Sequence, residues 1–294
     1  MNGSAKPDRL AFIGFGEAAM AFLDGWGSER PERISAFDIK TDVPETRADM
    51  EARYQARTVR GATDVGAALD GAGVAFSVVT ADQALEAARA AAPALAAGTL
   101  WLDCNSCAPD TKRRAADFIE GAGGRYVDVA VMAPVHPKRH RVPLLVSGPH
   151  ARDAHETLKA LDMCPEIAGD AIGQASAIKM LRSVMVKGLE ALTAECFLAA
   201  RRAGVEEQVL ASLEASDPDI AWRKRTAYNL ERMIVHGARR AAEMREVAVT
   251  VAALGLPNGM SAACAHWQDE IARHGIDPGE NDFTARVDRV LSVL

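Results

Sequence analysis

The hexapeptide Gly14-Phe15-Gly16-Glu17-Ala18-Ala19 reads G-x-G-x-x-A and stands between a short apolar run and an amphipathic segment. Glycines at the first and third positions let a chain turn tightly out of a strand and bring bare backbone against a pyrophosphate. A small sixth residue lets the following helix pack close to that strand. The helix N-terminus then offers its unsatisfied N–H groups to the phosphates. Asp38 ends the next apolar run, nineteen residues past Ala19, where a carboxylate accepts hydrogen bonds from both hydroxyls of an adenosine ribose. The same carboxylate repels a 2′-phosphate, so the pattern favours NAD, with Lys40 nearby keeping NADP open. The cofactor contacts expected from the sequence are Gly14, Phe15, Gly16, Glu17 and Ala18 of the turn, Asp38, Val79 and Thr80 after a later apolar run, and Asn105.

Lys179 is a second group with reactive potential. On a helix, Arg182 and Ser183 stand three and four residues from it, on the same face. An adjacent guanidinium and partial burial both lower the pKa of an amine, which lets it exchange protons near neutrality. By spacing alone the better reading is a lysine that fastens a loop or bridges two domains. His136 and His140, in the loop from Pro134 to Arg141, and His236, on a helical stretch, are either cleft residues or packing. The basic loop Lys138-Arg139-His140-Arg141 either attracts an anion or is simply solvated. Cys104 and Cys107 form a C-x-x-C, but no second pair and no histidine cluster follows, so no metal site is expected.

These groups need a scaffold. A length of 294 residues implies about two domains, and 49% hydrophobic content suffices for their cores. Thirty-four basic and forty acidic side chains are spread without long runs, which argues against nucleic-acid binding. No apolar stretch approaches the roughly 20 residues of a membrane span, and five cysteines without a disulfide rhythm point to a reducing, cytoplasmic setting. Up to about residue 170, apolar runs near Leu10–Gly14, Ile34–Asp38, Val74–Val79, Leu100–Asp103, Tyr126–Val131, Val142–Ser147 and Glu166–Ala168 read as strands. Helical patterns near Ala18–Trp26, Glu45–Gln55, Ala81–Leu95 and Thr111–Gly121 lie between them, the order of βαβ units. From Gln174 to about Gly204 a single long helix is expected, and only helical patterns follow it. The expected architecture is therefore α/β: a Rossmann domain over residues 1–172 with a mostly parallel sheet, then an all-helical domain over 173–294.

Over nearly its whole length the sequence resembles the β-hydroxyacid dehydrogenase and 6-phosphogluconate dehydrogenase superfamily. Asp103-Cys104-Asn105-Ser106-Cys107-Ala108-Pro109 is similar to the D-x-S-T-x-x-P loop that holds substrate beside the nicotinamide in that family. Asp128-Val129-Ala130-Val131-Met132-Ala133-Pro134 occupies the place of its D-A-P-V-S-G-G loop. Gly173 followed by Lys179 resembles the start of its interdomain helix, whose lysine is the general acid/base. Ser176 to Ser183, with His236-Gly237 and Arg239-Arg240-Ala241-Ala242-Glu243-Met244, resembles a bacterial phosphogluconate-dehydrogenase-like subgroup with a C-terminal domain of unknown function.

The resemblance implies hydride transfer to or from a nicotinamide cofactor, with Lys179 as general acid/base and Asn105, Ser106, Met132, Arg182 and Ser183 against a small, anionic substrate. It further implies a homodimer formed through the helical domain. Two departures alter the substrate contacts. The family's S-G-G becomes Met132-Ala133-Pro134, which loses a hydroxyl and, at the proline, an N–H donor, while its paired asparagines become Arg182 and Ser183. Arg182 either recovers anion recognition through its bidentate fork or forms a plain salt bridge. Val186 takes the place of the glutamate that serves decarboxylation in 6-phosphogluconate dehydrogenases, so a reaction that stops at hydride transfer is expected. Imine reduction and dinucleotide binding without turnover are the alternatives.

Overall fold

Strands covered by helices on both faces bury every side chain they carry, and such runs are apolar throughout instead of alternating. That is the character of β1 (Arg9–Ile13) from Leu10 onward, and it leads through the glycine turn to α1 (Glu17–Trp26). The chain continues through β2 (Arg33–Phe37), α2 (Pro44–Ala56), β3 (Arg60–Gly61), α3 (Val65–Leu69), β4 (Val74–Ser77), α4 (Ala84–Ala91), β5 (Leu100–Asp103) and α5 (Pro109–Gly121). It ends the α/β region with β6 (Arg125–Val131), β7 (Pro143–Ser147), α6 (Ala151–Ala160) and β8 (Cys164–Gly169). The computed structural model describes residues 6–294.

The eight strands form one sheet in the order β3-β2-β1-β4-β5-β6-β7-β8, parallel except where β7 runs against β6. Strand order reverses beside β1, and in such sheets ligands bind in the crevice at the carboxyl ends around that point. Register lines up the residues at that edge: Phe37 opposite Ile13, Ile13 opposite Ser77, Ser77 opposite Asp103, Asp103 opposite Asp128, and Asp128 opposite Ser147. One face of the sheet packs Phe12, Phe22, Trp26 and Phe76. The other packs Trp101, Ile119 and Tyr126.

The seven expected strands all form, each within two residues or so of its expected limits. The two-residue edge strand β3 and the five-residue α3 lack enough periodicity to be read, and α6 was likewise not expected. The segment expected as one helix over Ala81–Leu95 is instead α4 flanked by 3₁₀ turns at Ala81–Gln83 and Ala92–Ala94. Pro93 lacks the N–H that would continue the helical ladder.

α7 (Gln174–Ala203) is the long helix expected from the sequence. One unit of the structure ends at Lys179 and the second runs from Met180 to Leu294, with the limit between them inside α7. In the second unit α8 (Glu206–Ser216), α10 (Gly259–Ala272) and α11 (Phe283–Leu291) pack on α9 (Trp222–Ala253). Its core gathers Phe197, Leu230, Met233, Phe283 and Val287, with the two phenylalanine rings edge to face at 5.4 Å. α9 and α10 approach so closely that a Cβ at Gly237 would lie 2.6 Å from the carbonyl oxygen of Gln268.

Candidate functional site

Gly14 leaves β1 with φ +89°, and a Cβ there would lie 2.7 Å from the carbonyl oxygen of Val78. Only glycine fits that turn. Gly16 is the opposite case: a Cβ would meet nothing within 4 Å, so open space adjoins the backbone where α1 begins. No side chain caps this helix start. Bare backbone, free space and a helix N-terminus with orphan donors are the features a dinucleotide pyrophosphate needs, and the residues present fit that group.

Asp38 stands at the end of β2. One carboxylate oxygen accepts from the backbone N–H of Phe15 at 2.7 Å and the other from that of Lys40 at 3.0 Å. It therefore ties its own turn to the glycine turn. An ionised carboxylate has about four acceptor positions, so two remain for ribose hydroxyls. The Tyr54 hydroxyl accepts from the Asp38 N–H at 2.9 Å, and burial, with Asp38 close by, raises its pKa. The Phe15 side chain is fully buried, 4.9 Å from the Tyr54 ring, so Phe15 presents only backbone to a ligand. Glu17 and Thr80 are exposed, and Ala18 and Val79 half-buried, on the same edge of the sheet.

At the end of β5, Asp103 organises the next loop. Its carboxylate accepts from the backbone and side-chain nitrogens of Asn105 at 3.0 and 2.7 Å and from the Tyr126 hydroxyl at 2.7 Å. Asn105 also donates to Ser77 at 2.9 Å, while its own carbonyl oxygen is buried without a partner. Lys112, on α5, is completely buried and donates to the Asp103 carbonyl and carboxylate at 2.6 and 2.9 Å. It also lies 3.4 Å from Asp128 on β6. Burial alone would lower this amine, but the attraction of Asp103, Cys107 and Asp128 overcomes it and the pKa is raised. Asp128 in turn accepts from the backbone N–H and hydroxyl of Ser176 at 2.9 and 2.6 Å, and Ser147 donates to it at 3.2 Å.

This buried lattice fixes two segments at once: the loop after β5, carrying Asn105 and Ser106, and the first two turns of α7, carrying Lys179 three residues past Ser176. They meet where the Lys179 amine donates to the Ser106 hydroxyl at 2.5 Å. Both residues are half-buried. The charge of Lys179 also acts on the Cys104 thiol, although burial prevails and pushes that thiol up to about 12. Cys107 is buried as well, so the C-x-x-C pair is packing.

The structure thus brings together Gly14, Gly16 and Asp38 in one group and Asn105, Ser106 and Lys179 in another. Met132 is half-buried just past β6, its N–H donating to the Pro143 carbonyl at 2.9 Å. Arg182 and Ser183 belong to the second unit, where Arg182 is exposed and Ser183 is buried beside the Lys187 amine at 3.4 Å. His140 packs against the last turn of α1, where a Cβ on Gly25 would strike its ring. That is nine residues from Gly16, or about 13 Å along a helix. Arg141 and Asp162 pair beside it, and Arg139 donates to the Asp24 carbonyl at 3.2 Å, so the basic loop is largely occupied. Sequence reasoning missed Lys112. The available signal was a lysine heading the buried stripe Lys112, Ala115, Ala116 and Ile119 of α5, a position that otherwise takes an apolar residue.

Residues 9–164 match the family model of the NAD binding domain of 6-phosphogluconate dehydrogenase. The chain belongs to that family. Within it, residues 200–271 also match a domain of unknown function, DUF1932. A conserved hypothetical protein from Sinorhizobium meliloti 1021, known from its crystal structure, is 38% identical, with a TM-score of 0.79 over 97% of this chain and 96% of that one. A conserved protein of unknown function, described as structurally similar to 3-hydroxyacid dehydrogenases, is 30% identical, with a TM-score of 0.70 over 92% of this chain and 100% of that one. The fold is shared with Mycobacterium tuberculosis 3-hydroxyisobutyrate dehydrogenase, solved with L-serine, at 18% identity and a TM-score of 0.72 over 96% of this chain and 98% of that one. This member of the 6-phosphogluconate dehydrogenase NAD-binding family therefore carries a nicotinamide-dinucleotide-binding fold. No helix among its described residues is long and apolar enough to cross a membrane.

Proposed function

We propose that the protein is an NAD(H)-dependent oxidoreductase that interconverts a small hydroxy acid and its oxo form, with Lys179 as general acid/base. The observation that carries the reading is the Lys179–Ser106 hydrogen bond of 2.5 Å, held at the carboxyl edge of the sheet by the buried Asp103–Lys112–Asp128 lattice. A bound nicotinamide supplies the hydride acceptor for the substrate carbon. What remains is the hydroxyl proton. In the oxidising direction the neutral Lys179 amine takes that proton as the carbonyl forms, and in the reducing direction the ammonium returns it. Ser106 can accept from Lys179 and donate onward, so it orients the amine and offers the substrate oxygen a second partner.

Asp38 supports NAD over NADP, because a carboxylate facing a 2′-phosphate is repelled. The second unit supports a reaction without decarboxylation. Val186 has no proton to give, and the neighbouring acids are engaged: Glu190 accepts from Arg240 at 2.8 Å and Gln268 at 2.9 Å, and Glu243 holds Lys187 at 2.6 Å.

The test is a panel of 2- and 3-hydroxy acids assayed by NADH absorbance, with product analysis of any that react. The native protein should reduce NAD and retain the substrate carboxylate. The Lys179→Ala variant should still quench on NADH binding yet lose at least about 10²-fold in turnover, the low end of general acid–base contributions. A variant that keeps its rate would remove Lys179 from the chemistry, and stoichiometric carbon dioxide would show that another acid replaces the missing glutamate.

A further inference from the structure

α9 carries Arg232, His236 and Arg239 on one side, at spacings of four and three residues. On a helix such neighbours have Cβ atoms about 5–6 Å apart. Three other arginines of α9 are matched with carboxylates: Arg223 with Glu207, Arg240 with Glu190, and Arg245 with Asp269. Arg232 and Arg239 make no ion pair and no side-chain hydrogen bond among the described residues. Their two positive charges stand about two turns apart with His236 between them.

We propose that Arg232, His236 and Arg239 form a binding site for a phosphate group, or an equivalent dianionic oxyanion, of a small molecule. The two arginines lie seven residues apart, about 10 Å along the axis, and their long side chains can converge over the imidazole between them. Two planar guanidinium forks and one ring N–H supply donors on three sides of a tetrahedral anion, while the mid-helix backbone has none to spare. His236 is half-buried, and its pKa is lowered by that burial and by the charges of Arg232 and Arg239. Glu231 acts in the opposite sense and Arg240, itself held by Glu190, adds slightly to the lowering. Glu243, one turn beyond Arg239, is committed to Lys187 on α7. An arriving dianion reverses the balance: it screens the two arginines from the ring and stabilises the imidazolium, so proton uptake and anion binding reinforce one another.

The site concerns the second unit alone and stands or falls separately from the chemistry of Lys179. Its test uses the full chain labelled with ¹⁵N-histidine, the His236 resonance being assigned with His236→Gln. Inorganic phosphate replaces sodium chloride at constant ionic strength while the His236 pKa is followed by NMR. A saturable rise is expected, with the apparent affinity falling about tenfold for each of Arg232→Gln and Arg239→Gln. Arg225→Gln, an exposed arginine two turns away on the same helix, should leave it unchanged. Sulfate, a dianion throughout the accessible pH range, should bind more weakly as pH rises through the His236 pKa, and that dependence should vanish in His236→Gln. Far-UV circular dichroism and melting verify that each variant is folded. The proposal is overturned if chloride alone reproduces the shift, if no saturation occurs, or if Arg225→Gln weakens binding as much as the other two.

Discussion

Replacing Lys112 with methionine removes an amine that sits against both Asp103 and Asp128. Volume is roughly conserved, so packing changes little, but two buried carboxylates lose their shared counter-charge. At a separation of roughly 6 Å and an effective dielectric constant near 20, their mutual repulsion is about 3 kcal/mol. Breaking a buried ion pair by deleting one partner typically costs about 3–5 kcal/mol, which agrees. For a domain of this size each kcal/mol lowers the melting midpoint by about 2–4 °C, so Lys112→Met should melt about 6–20 °C lower.

The sign of the pH dependence follows from the raised pKa of Lys112. A group whose pKa is higher folded than unfolded contributes fully below the unfolded value, about 10.4 for lysine, and loses its contribution only as pH climbs toward the folded value. The destabilisation should therefore be flat between pH 6 and 9. Adding Asp128→Asn should recover about 1–3 kcal/mol, because the two side chains are in direct contact. Scanning fluorimetry of the single and double variants reads all of this, with the exposed Arg89→Ala, paired with Glu86 one turn away, as a control expected within about 0.5 kcal/mol. A melting shift of Lys112→Met below 2 °C, or a cost that fades between pH 6 and 9, would refute the view that this lysine holds the site together.

The two glycines of the turn should fail differently: Gly14→Ala lowers the melting midpoint through backbone strain and the Val78 contact, whereas Gly16→Ala folds normally and raises the NADH dissociation constant in a fluorescence titration. The same titration with NADPH should give weaker binding than NADH by at least several-fold, and equal affinities would contradict the role assigned to Asp38. A thiol reagent under native conditions should label the exposed Cys164 and Cys196 and spare Cys104, Cys107 and Cys264, of which Cys104 and Cys264 are pushed up to about 12 by burial. Light scattering should report a dimer, twice 31.3 kDa, because Leu181, Met185 and Leu192 leave a helically spaced apolar stripe of α7 exposed; Met185→Glu should then shift the mass toward one chain.

Local chemistry was enough to read the α/β region and the glycine turn. Apolar runs with β-branched and aromatic residues, a turn only glycine can make and a carboxylate at the end of the second strand are constraints each segment imposes on itself. The break in the helix at Pro93 was equally local and could have been read from the missing N–H, whereas β3 and α3 are too short for any period to emerge. The long helix from Gln174 was legible for a similar reason, since thirty residues without a breaker leave the backbone one regular course.

The lattice beneath the site is another matter. Asp103, Lys112, Tyr126, Asp128, Ser147 and Ser176 come from five elements, β5, α5, β6, β7 and α7, and nothing in their spacing says that one amine serves two carboxylates. Lys112 looked like any lysine in the first turn of a surface helix, and His140 looked like a loop residue near a cleft. Register and packing decided both. The parallel pairing of β5 with β6 set Asp103 opposite Asp128, α5 laid Lys112 across them, and the close approach at Gly25 took His140 to the far end of α1. Sequence alone fixes what each segment prefers, because propensity and turn chemistry act within a few residues. The partner of a buried charge is chosen by tertiary structure, because only the assembled sheet excludes the water that would otherwise solvate it.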